Sequence, residues 1–371
     1  AFITEKDLVD GKCQDHQKAP EVIEEENWFF KLSKYTKEIK SRIKKNELRI
    51  IPETRRNEVL AFLEQGLEDI SFSRPSKNLS WGVPVPDDET QTMYVWCDAL
   101  VNYISAIGYG QEENYKLQTT NYQFSDLWPA DVHFIGKDIL RFHAAIWPGM
   151  LLSAGLELPK SIFVHGFITS NGQKMSKSIG NVVSPVELVE KYGVDAVRYY
   201  LLREISSYGD GDFSYKKFEE RYNGELANGL GNFVARILSL AEKMKISAKD
   251  YKIGEVRIKD INNNLDDIPL LLADAKSVLA KKINEFKFNE AIGVIWTLMS
   301  LGDNYINHKK PWENLDSKKD IIINLVIFLK IIAELIYPFL PGTSEKILKS
   351  IDESGDVIKI TKPENLFPRI K

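Results

Sequence analysis

Two lysines three residues apart, Lys174 and Lys177, stand in the polar run Thr169-Ser170-Asn171-Gly172-Gln173-Lys174-Met175-Ser176-Lys177-Ser178-Ile179-Gly180-Asn181. Glycine on both sides relieves backbone strain, so the run reads as a loop. Two ammonium groups on such a loop can close over a polyanion and withdraw again. The competing reading is a solvated lysine loop, the usual fate of a short charge run. A second group of residues offers rings rather than charges: Trp96 and Tyr103, then Phe142, His143 and Trp147. Each alone suits core packing, and a lone histidine on an apolar helix face is more often a satisfied core residue. Their clustering at two strand-to-helix junctions favours a pocket, because open α/β sheets bind ligands at the carboxyl ends of their strands. Gly136-Lys137-Asp138 follows a strand and opens a helix, where backbone N–H groups are free and close approach is possible. Asn228, Asn232 and Arg236 lie four apart and share one helix face. Trp312 beside Pro311 offers a stacking platform for an unpaired base, whose edges Asn and Arg can bond, although helix capping and surface packing are the preferred reading of these residues taken alone. Cys13 and His16 have half of a zinc-knuckle spacing, and a closed structural zinc site needs four ligands.

The elements that must position these groups follow from pattern and punctuation. Residues 1 to about 20 are polar and turn-rich. Asn27 to about Gly66 reads as charged helices anchored by Trp28, Phe29 and Phe30, and Ile70 to about Val95 as strands and turns. Met93–Trp96, Val132–Ile135 and Ile162–His165 are strand-like, each leading into a helix or the lysine loop, which predicts part of a parallel α/β sheet. Ser184, Pro185 and Glu187 make an N-cap, an N1 proline and a capping-box glutamate, and Gly193 closes that helix. From about Glu220 the chain reads as almost wholly helical. Within it, Ile321 to Leu340 is the best membrane candidate. Asn324, Lys330 and Glu334 share one arc of about 120° there, the mark of a buried bundle helix with a polar stripe.

At 371 residues, 43% of them hydrophobic, the chain has room for two domains with real cores. A net charge of -4 gives no global argument for a nucleic-acid partner, so RNA contact needs a local basic face. Two cysteines, Cys13 and Cys97, exclude a disulfide framework and suit a reducing cytosol, so the chain is expected in the cytoplasm.

Lys174-Met175-Ser176-Lys177-Ser178 resembles the KMSKS signature of class I aminoacyl-tRNA synthetases. Three further segments resemble the methionyl branch of that family: Tyr94-Val95-Trp96-Cys97-Asp98-Ala99-Leu100-Val101-Asn102-Tyr103, then His133 to His143 closed by Trp147-Pro148, then Asn304-Tyr305-Ile306 with Lys310-Pro311-Trp312. The resemblance runs collinearly over essentially the whole chain. It implies an α/β fold, the second half of a class I synthetase nucleotide-binding (Rossmann-like) fold, followed by an all-α anticodon-binding bundle. The expected domains are 1–26, a remnant of a connective, zinc-knuckle region; 27–69, its helical end; 70–203, the nucleotide fold with the signature at 174–178; and 204–371, the bundle.

The activity implied is ATP-dependent activation of methionine and transfer to tRNA(Met), with ATP and Mg2+. Trp96, Ala99, Tyr103, Ile139, Phe142, His143 and Trp147 would line the methionine pocket, which suits a flexible, polarisable thioether. Gly136, Asp138, His165, Lys174, Met175 and Lys177 would bind ATP, with Lys174 and Lys177 catalytic. Asn228, Asn232, Arg236 and Trp312 would read the anticodon. In bacterial relatives a Cys-x-x-Cys pair precedes a pair like Cys13 and His16, and this chain lacks it, so Zn2+ and a metal-free half-site both remain open. None of the five histidines, His16, His133, His143, His165 and His308, sits in the HIGH-type tetrapeptide of the class. Together with an opening at Ala1, this leads to the expectation of an N-terminally truncated piece, inactive alone, whose partner is the missing half in cis or in trans. Cys97 stands where the family more often has a larger hydrophobe. A non-catalytic tRNA-binding paralogue is the alternative, disfavoured by the two retained lysines, and a leucine or isoleucine ligase suits the Trp96, Phe142 and His143 pocket less well.

Overall fold

The computed structural model describes residues 8–13, 18–19, 24–79, 81–111, 122–176, 179–244, 246–247, 268–315 and 318–370. They fall into two compact units, Ala1–Val164 and His165–Lys371, a division that lies before the boundary expected near residue 204.

In the first unit, β1 (Leu8–Val9) and β2 (Lys12–Cys13) form an antiparallel ribbon around Asp10-Gly11. Both turn residues have positive φ, as a two-residue hairpin requires. β3 (Phe29–Phe30) leads to α1 (Thr36–Lys44), which buries Ile39 and Ile43 one turn apart. β4 (Arg49–Ile51) and α2 (Glu53–Glu64) follow. Next come β5 (Ile70–Ser71), β6 (Ser73–Pro75), β7 (Pro84–Val85), β8 (Asp88–Met93) and α3 (Val95–Ser105). α4 (Phe124–Leu127) precedes β9 (His133–Gly136). A 3-10 turn (Lys137–Ile139) and a π-helical turn (Phe142–Ile146) then run into α5 (Trp147–Ser153), and β10 (Ser161–His165) closes the series.

Two expectations are corrected here. The stretch read as helices from Asn27 to Gly66 contains β4, which pairs in parallel with β10 through Arg49↔Ser161, Ile50↔Ile162 and Ile51↔Phe163. A three-residue strand is too short to show a period, so its charged, helical surroundings dominate the reading. β4 draws α1 and α2 into the sheet's own core, where Ile39, Ile43, Ile50 and Leu63 cluster with Ile135, Leu140, Ile162 and Val164. The parallel sheet thus has the order β4-β10-β9. β8, the strand before Trp96, belongs instead to an antiparallel sheet of order β6-β8-β7. The β7–β8 connection is a tight turn at Pro86-Asp87, Asp87 having φ 63°. So short a link joins antiparallel strands and cannot make a parallel crossover.

The second unit opens with β11 (Ile168–Ser170) and β12 (Gln173–Lys174), then α6 (Pro185–Tyr192), α7 (Val194–Arg203), β13 (Gly211–Phe213) and α8 (Tyr215–Arg221). The Ser184 hydroxyl accepts from the Glu187 amide and Gly193, with φ 86°, ends α6, as its sequence predicts. α8 passes through a π-helical segment (Tyr222–Gly231) into α9 (Asn232–Ala241), followed by β14 (Ile246–Ser247). α10 (Ile268–Asn284), α11 (Phe288–Lys309), α12 (Lys319–Ile336) and α13 (Pro341–Lys349) complete the bundle. α12 is its buried axis, and its exposed stripe carries Glu334 and a Lys330–Glu353 ion pair. Among the described residues no helix is long and apolar enough to cross a membrane. β15 (Ile351–Asp352) and β16 (Val357–Ile360) join β14 in a small antiparallel sheet, a departure from the wholly helical expectation. The alternation of buried Ile358 and Ile360 with exposed Val357 and Lys359 is the strand signal there.

Candidate functional site

In the first unit α3 and the turn after β9 bring the predicted rings together. Trp96 lies in the first turn of α3 rather than at a strand end, and Ala99 and Tyr103 follow it on the same face at helical spacing. Trp96 stacks on Phe142 with ring centres 3.9 Å apart and meets His143 edge-on at 6.4 Å. Tyr103 lies 5.6 Å from His143 and 6.0 Å from Trp147. Ile139 is placed differently: its side chain packs on the sheet core, while its carbonyl oxygen receives His143 Nδ1 at 3.0 Å. Cys97 is half-buried, and that burial pushes its thiol up.

The protonation of His143 follows from its partners. A carbonyl only accepts, so Nδ1 carries the proton, and Nε2 accepts from the Tyr103 hydroxyl at 2.9 Å. Burial lowers the pKa of His143 and favours this neutral form. The result is an aromatic cluster with one fixed hydroxyl–imidazole pair. His133, read only as a strand residue, joins the same cluster: its ring centre is 4.2 Å from that of Tyr103. Trp147 Nε1 donates to His133 Nε2 at 3.2 Å. Burial, and secondarily His143, lowers the His133 pKa to about 4. Period-2 alternation along β9 with an inward His133 is the signal that could have revealed it.

Gly136 ends β9 and Asp138 is exposed in the 3-10 turn that follows. In the second unit, His165 is exposed at the end of β10, with Nδ1 donating to the Gly166 carbonyl at 2.8 Å and Nε2 left to accept. Lys174 does not lie in a loop. It ends β12, the second strand of a hairpin whose two-residue turn is Asn171-Gly172, with φ 50° and 76°. The Asn-Gly pair between short strands is a strong hairpin signal that the polar composition hides. Asp212 of β13 pins that turn, accepting from the Gly172 amide at 2.6 Å and the Thr169 hydroxyl at 2.7 Å, and these bonds hold its carboxyl below its usual range. Asn181 then ties the following segment back, accepting from the Ser176 amide at 2.8 Å and donating to the Lys174 carbonyl at 3.1 Å. Lys174 is exposed and Met175 packs on the core of this unit. Lys177 lies outside the described residues, as does His16. Cys13 is half-buried on β2, and among the described residues no group of three or more metal-ligating side chains occurs.

Asn228 lies in the π-helical segment, Asn232 and Arg236 on α9, and the two asparagines are exposed. Beside them opens a cavity of about 690 Å³, whose other wall includes Lys362, Asn365 and Arg369. Arg369 Nε donates to Asn228 Oδ1 at 2.8 Å. The sequence gives no local sign that this distant segment returns there. Arg236 is held by Asp303 at 3.0 Å and Asn307 at 2.7 Å, both on α11. Burial raises the Asp303 carboxyl pKa, opposed by Arg236. Trp312 is half-exposed after Lys310, whose φ is 43°, and Lys318 Nζ caps the end of α11 through the Lys309 and Lys310 carbonyls at 2.7 and 3.0 Å.

Comparison with known proteins accounts for both units. A family described as tRNA synthetases class I (M) matches residues 2–238, and an anticodon-binding domain of tRNA ligase matches residues 271–368. A methionine–tRNA ligase of Clostridium perfringens is 42% identical over 392 residues, covering 100% of this chain and 58% of its own length. One from Caldanaerobacter subterraneus is 39% identical, covering 100% of this chain and 59% of its own length. The chain therefore spans less than two thirds of these curated relatives. Methionyl-tRNA synthetase of Mycobacterium tuberculosis bound by methionyl-adenylate superposes with a TM-score of 0.84 at 35% identity, over 99% of this chain and 74% of that one. With its ring cluster and its lysine hairpin inside the first matched region and most of its helical bundle across the two, this chain belongs to the class I tRNA synthetases of the methionine group and carries an anticodon-binding domain.

Proposed function

We propose that this chain is the larger part of a methionine–tRNA ligase, which activates methionine with ATP and transfers it to tRNA(Met) once the missing half is supplied in cis or in trans. The observation that carries the reading is the ring cluster of Trp96, Tyr103, Phe142, His143 and Trp147, with its neutral His143–Tyr103 pair, in a fold similar to one that holds methionyl-adenylate. The cluster offers polarisable ring edges and one hydroxyl, which suits a thioether and disfavours a charged side chain. Ala99 follows Trp96 on the same face of α3, and Ile139 takes part through its carbonyl, which holds His143 Nδ1.

ATP enters as its Mg2+ complex. Gly136 and Asp138 serve its ribose, and His165 its adenine through the Nε2 acceptor. Lys174, Met175 and Lys177 serve the phosphates. A methionine carboxylate oxygen attacks the α-phosphorus, forming the acyl-phosphate bond as the bond to the bridging oxygen of pyrophosphate breaks. Lys174 and Lys177 stabilise the charge that develops on the leaving β- and γ-phosphates. No protein nucleophile is needed. A tRNA hydroxyl then takes the methionyl group and AMP leaves. Asn228, Asn232, Arg236 and Trp312 read the anticodon, Trp312 by stacking and the others by bonding base edges. The reading places the chain in the cytoplasm.

A tRNA-binding measurement on the whole chain tests this. A tRNA with the methionine anticodon CAU should bind tighter than the same tRNA with a changed anticodon by about 1–3 kcal/mol, the range of one base contact. Equal binding of the two would overturn the anticodon assignment. Equilibrium dialysis with labelled L-methionine tests the pocket, and failure to retain methionine at millimolar concentration would overturn that part.

A further inference from the structure

The ring cluster contains one polar residue that the proposed reaction does not use. His133 is almost wholly buried on β9, among the rings of Tyr103, Trp128 and His143. Its Nε2 lone pair receives the Trp147 indole N–H at 3.2 Å, and its ring lies 4.2 Å from Tyr103, tilted at 40°. Tyr103 in turn donates to His143. Trp147 sits on α5 and Tyr103 on α3, so His133 is where two separate helices are indexed to the parallel sheet. We propose that His133 is a positioning residue of the methionine pocket: it fixes the Trp147 indole by an acceptor lone pair and backs the Tyr103 ring, so that the Tyr103–His143 pair faces the side chain of the substrate in one geometry.

The chemistry requires an acceptor at Nε2. An indole N–H can only donate, and a buried donor left unpaired loses its full desolvation cost, so Trp147 turns when the acceptor is removed. The requirement is met only by neutral imidazole, and the low-dielectric surroundings keep it so. An aromatic shelf is the second requirement, since Tyr103 has His133 on one side and His143 on another.

This inference rests on the methionine reading, and the test separates the two. Labelled L-methionine and L-leucine are measured by equilibrium dialysis against the whole chain and its variants. Methionine binding by the unaltered chain is required first; its absence overturns the methionine reading and this inference with it. His133→Gln can place Oε1 near the position of Nε2, whereas His133→Asn is too short to reach it. The Asn variant should lose about tenfold in methionine affinity and most of its preference over leucine, and the Gln variant should recover most of both. His133→Phe keeps a ring but no acceptor, and should behave as Asn does. If Phe does not fold, the Asn and Gln pair, which differ only in reach, decides the matter. Equal methionine affinity and selectivity in folded Asn and Gln variants, or equal loss in both, overturns the positioning role while leaving the methionine reading intact.

Discussion

Lowering the pH from 7.5 to 5 should destabilise the first unit well before its carboxylates are protonated, because two neutral imidazoles are buried in the ring cluster. The largest contribution is His133, whose pKa is lowered from 6.5 in the unfolded chain to about 4 by burial and by His143. The titratable side chains facing it are Tyr103 and His143. The unfolded chain binds a proton here that the folded one refuses, so stability rises with pH across this window. The stability is complete above about pH 6.5 and is lost as pH falls towards about 4. A gap of this size is worth about 3 kcal/mol when fully expressed, and roughly 2 kcal/mol of it is already lost at pH 5. Protonated Nε2 would also turn a donor towards the Trp147 indole N–H, which explains why the folded state resists the proton. His143, lowered by burial, adds a loss of the same sign. Glu64, Asp69 and Asp88, held low by hydrogen bonds to Lys40, Ser33 and Thr90, act in the same direction but below about pH 5. Urea unfolding followed by tryptophan fluorescence at several pH values measures the loss, and five of the seven tryptophans lie in this unit. A midpoint unchanged between pH 7.5 and 5 refutes the reasoning. So does a His133→Phe chain that loses as much stability as the unaltered one.

Other consequences are local. Trp312→Ala should weaken tRNA binding by about 1–3 kcal/mol, one base–aromatic stack, while methionine retention by dialysis stays unchanged. Asp212→Ala removes the acceptor for the Gly172 amide and Thr169 hydroxyl, so hydrogen exchange at Gly172 should quicken while the core helices of the bundle stay protected. Gly302→Ala places a methyl 2.8 Å from ring atoms of Phe233 and Phe328 inside the bundle core, and should cost about 1–3 kcal/mol in thermal or urea unfolding of the second unit. In methionine-dependent ATP–pyrophosphate exchange by the completed enzyme, with the missing half supplied, Lys177→Ala should lower kcat by an amount worth roughly 2.7–4 kcal/mol with little change in KM for methionine, as a contact made in the transition state requires.

The sequence alone determined whatever is encoded within a few neighbouring residues. Ser184, Pro185 and Gly193 mark both ends of α6, and the apolar run with its polar stripe marks α12, because helix caps and a 3.6-residue period are written locally. The residue types of the ring cluster and of the exposed bundle asparagines were legible for a similar reason, since aromatic, asparagine and lysine side chains carry their chemistry wherever they are placed. Tertiary structure alone decided which strands pair and which groups hold the site residues. β4 becomes a strand by pairing with β10, more than a hundred residues away, and three residues carry no period of their own. His133 joins the ring cluster only when β9 is set against α3 and α5, and Asp212 pins the lysine hairpin only because β13 lies parallel to β11. Arg369 reaches Asn228, and Arg236 reaches Asp303, across separations of 141 and 67 residues. Such contacts depend on burial and pairing that form when the whole chain closes, and no local pattern records which distant partner will be there.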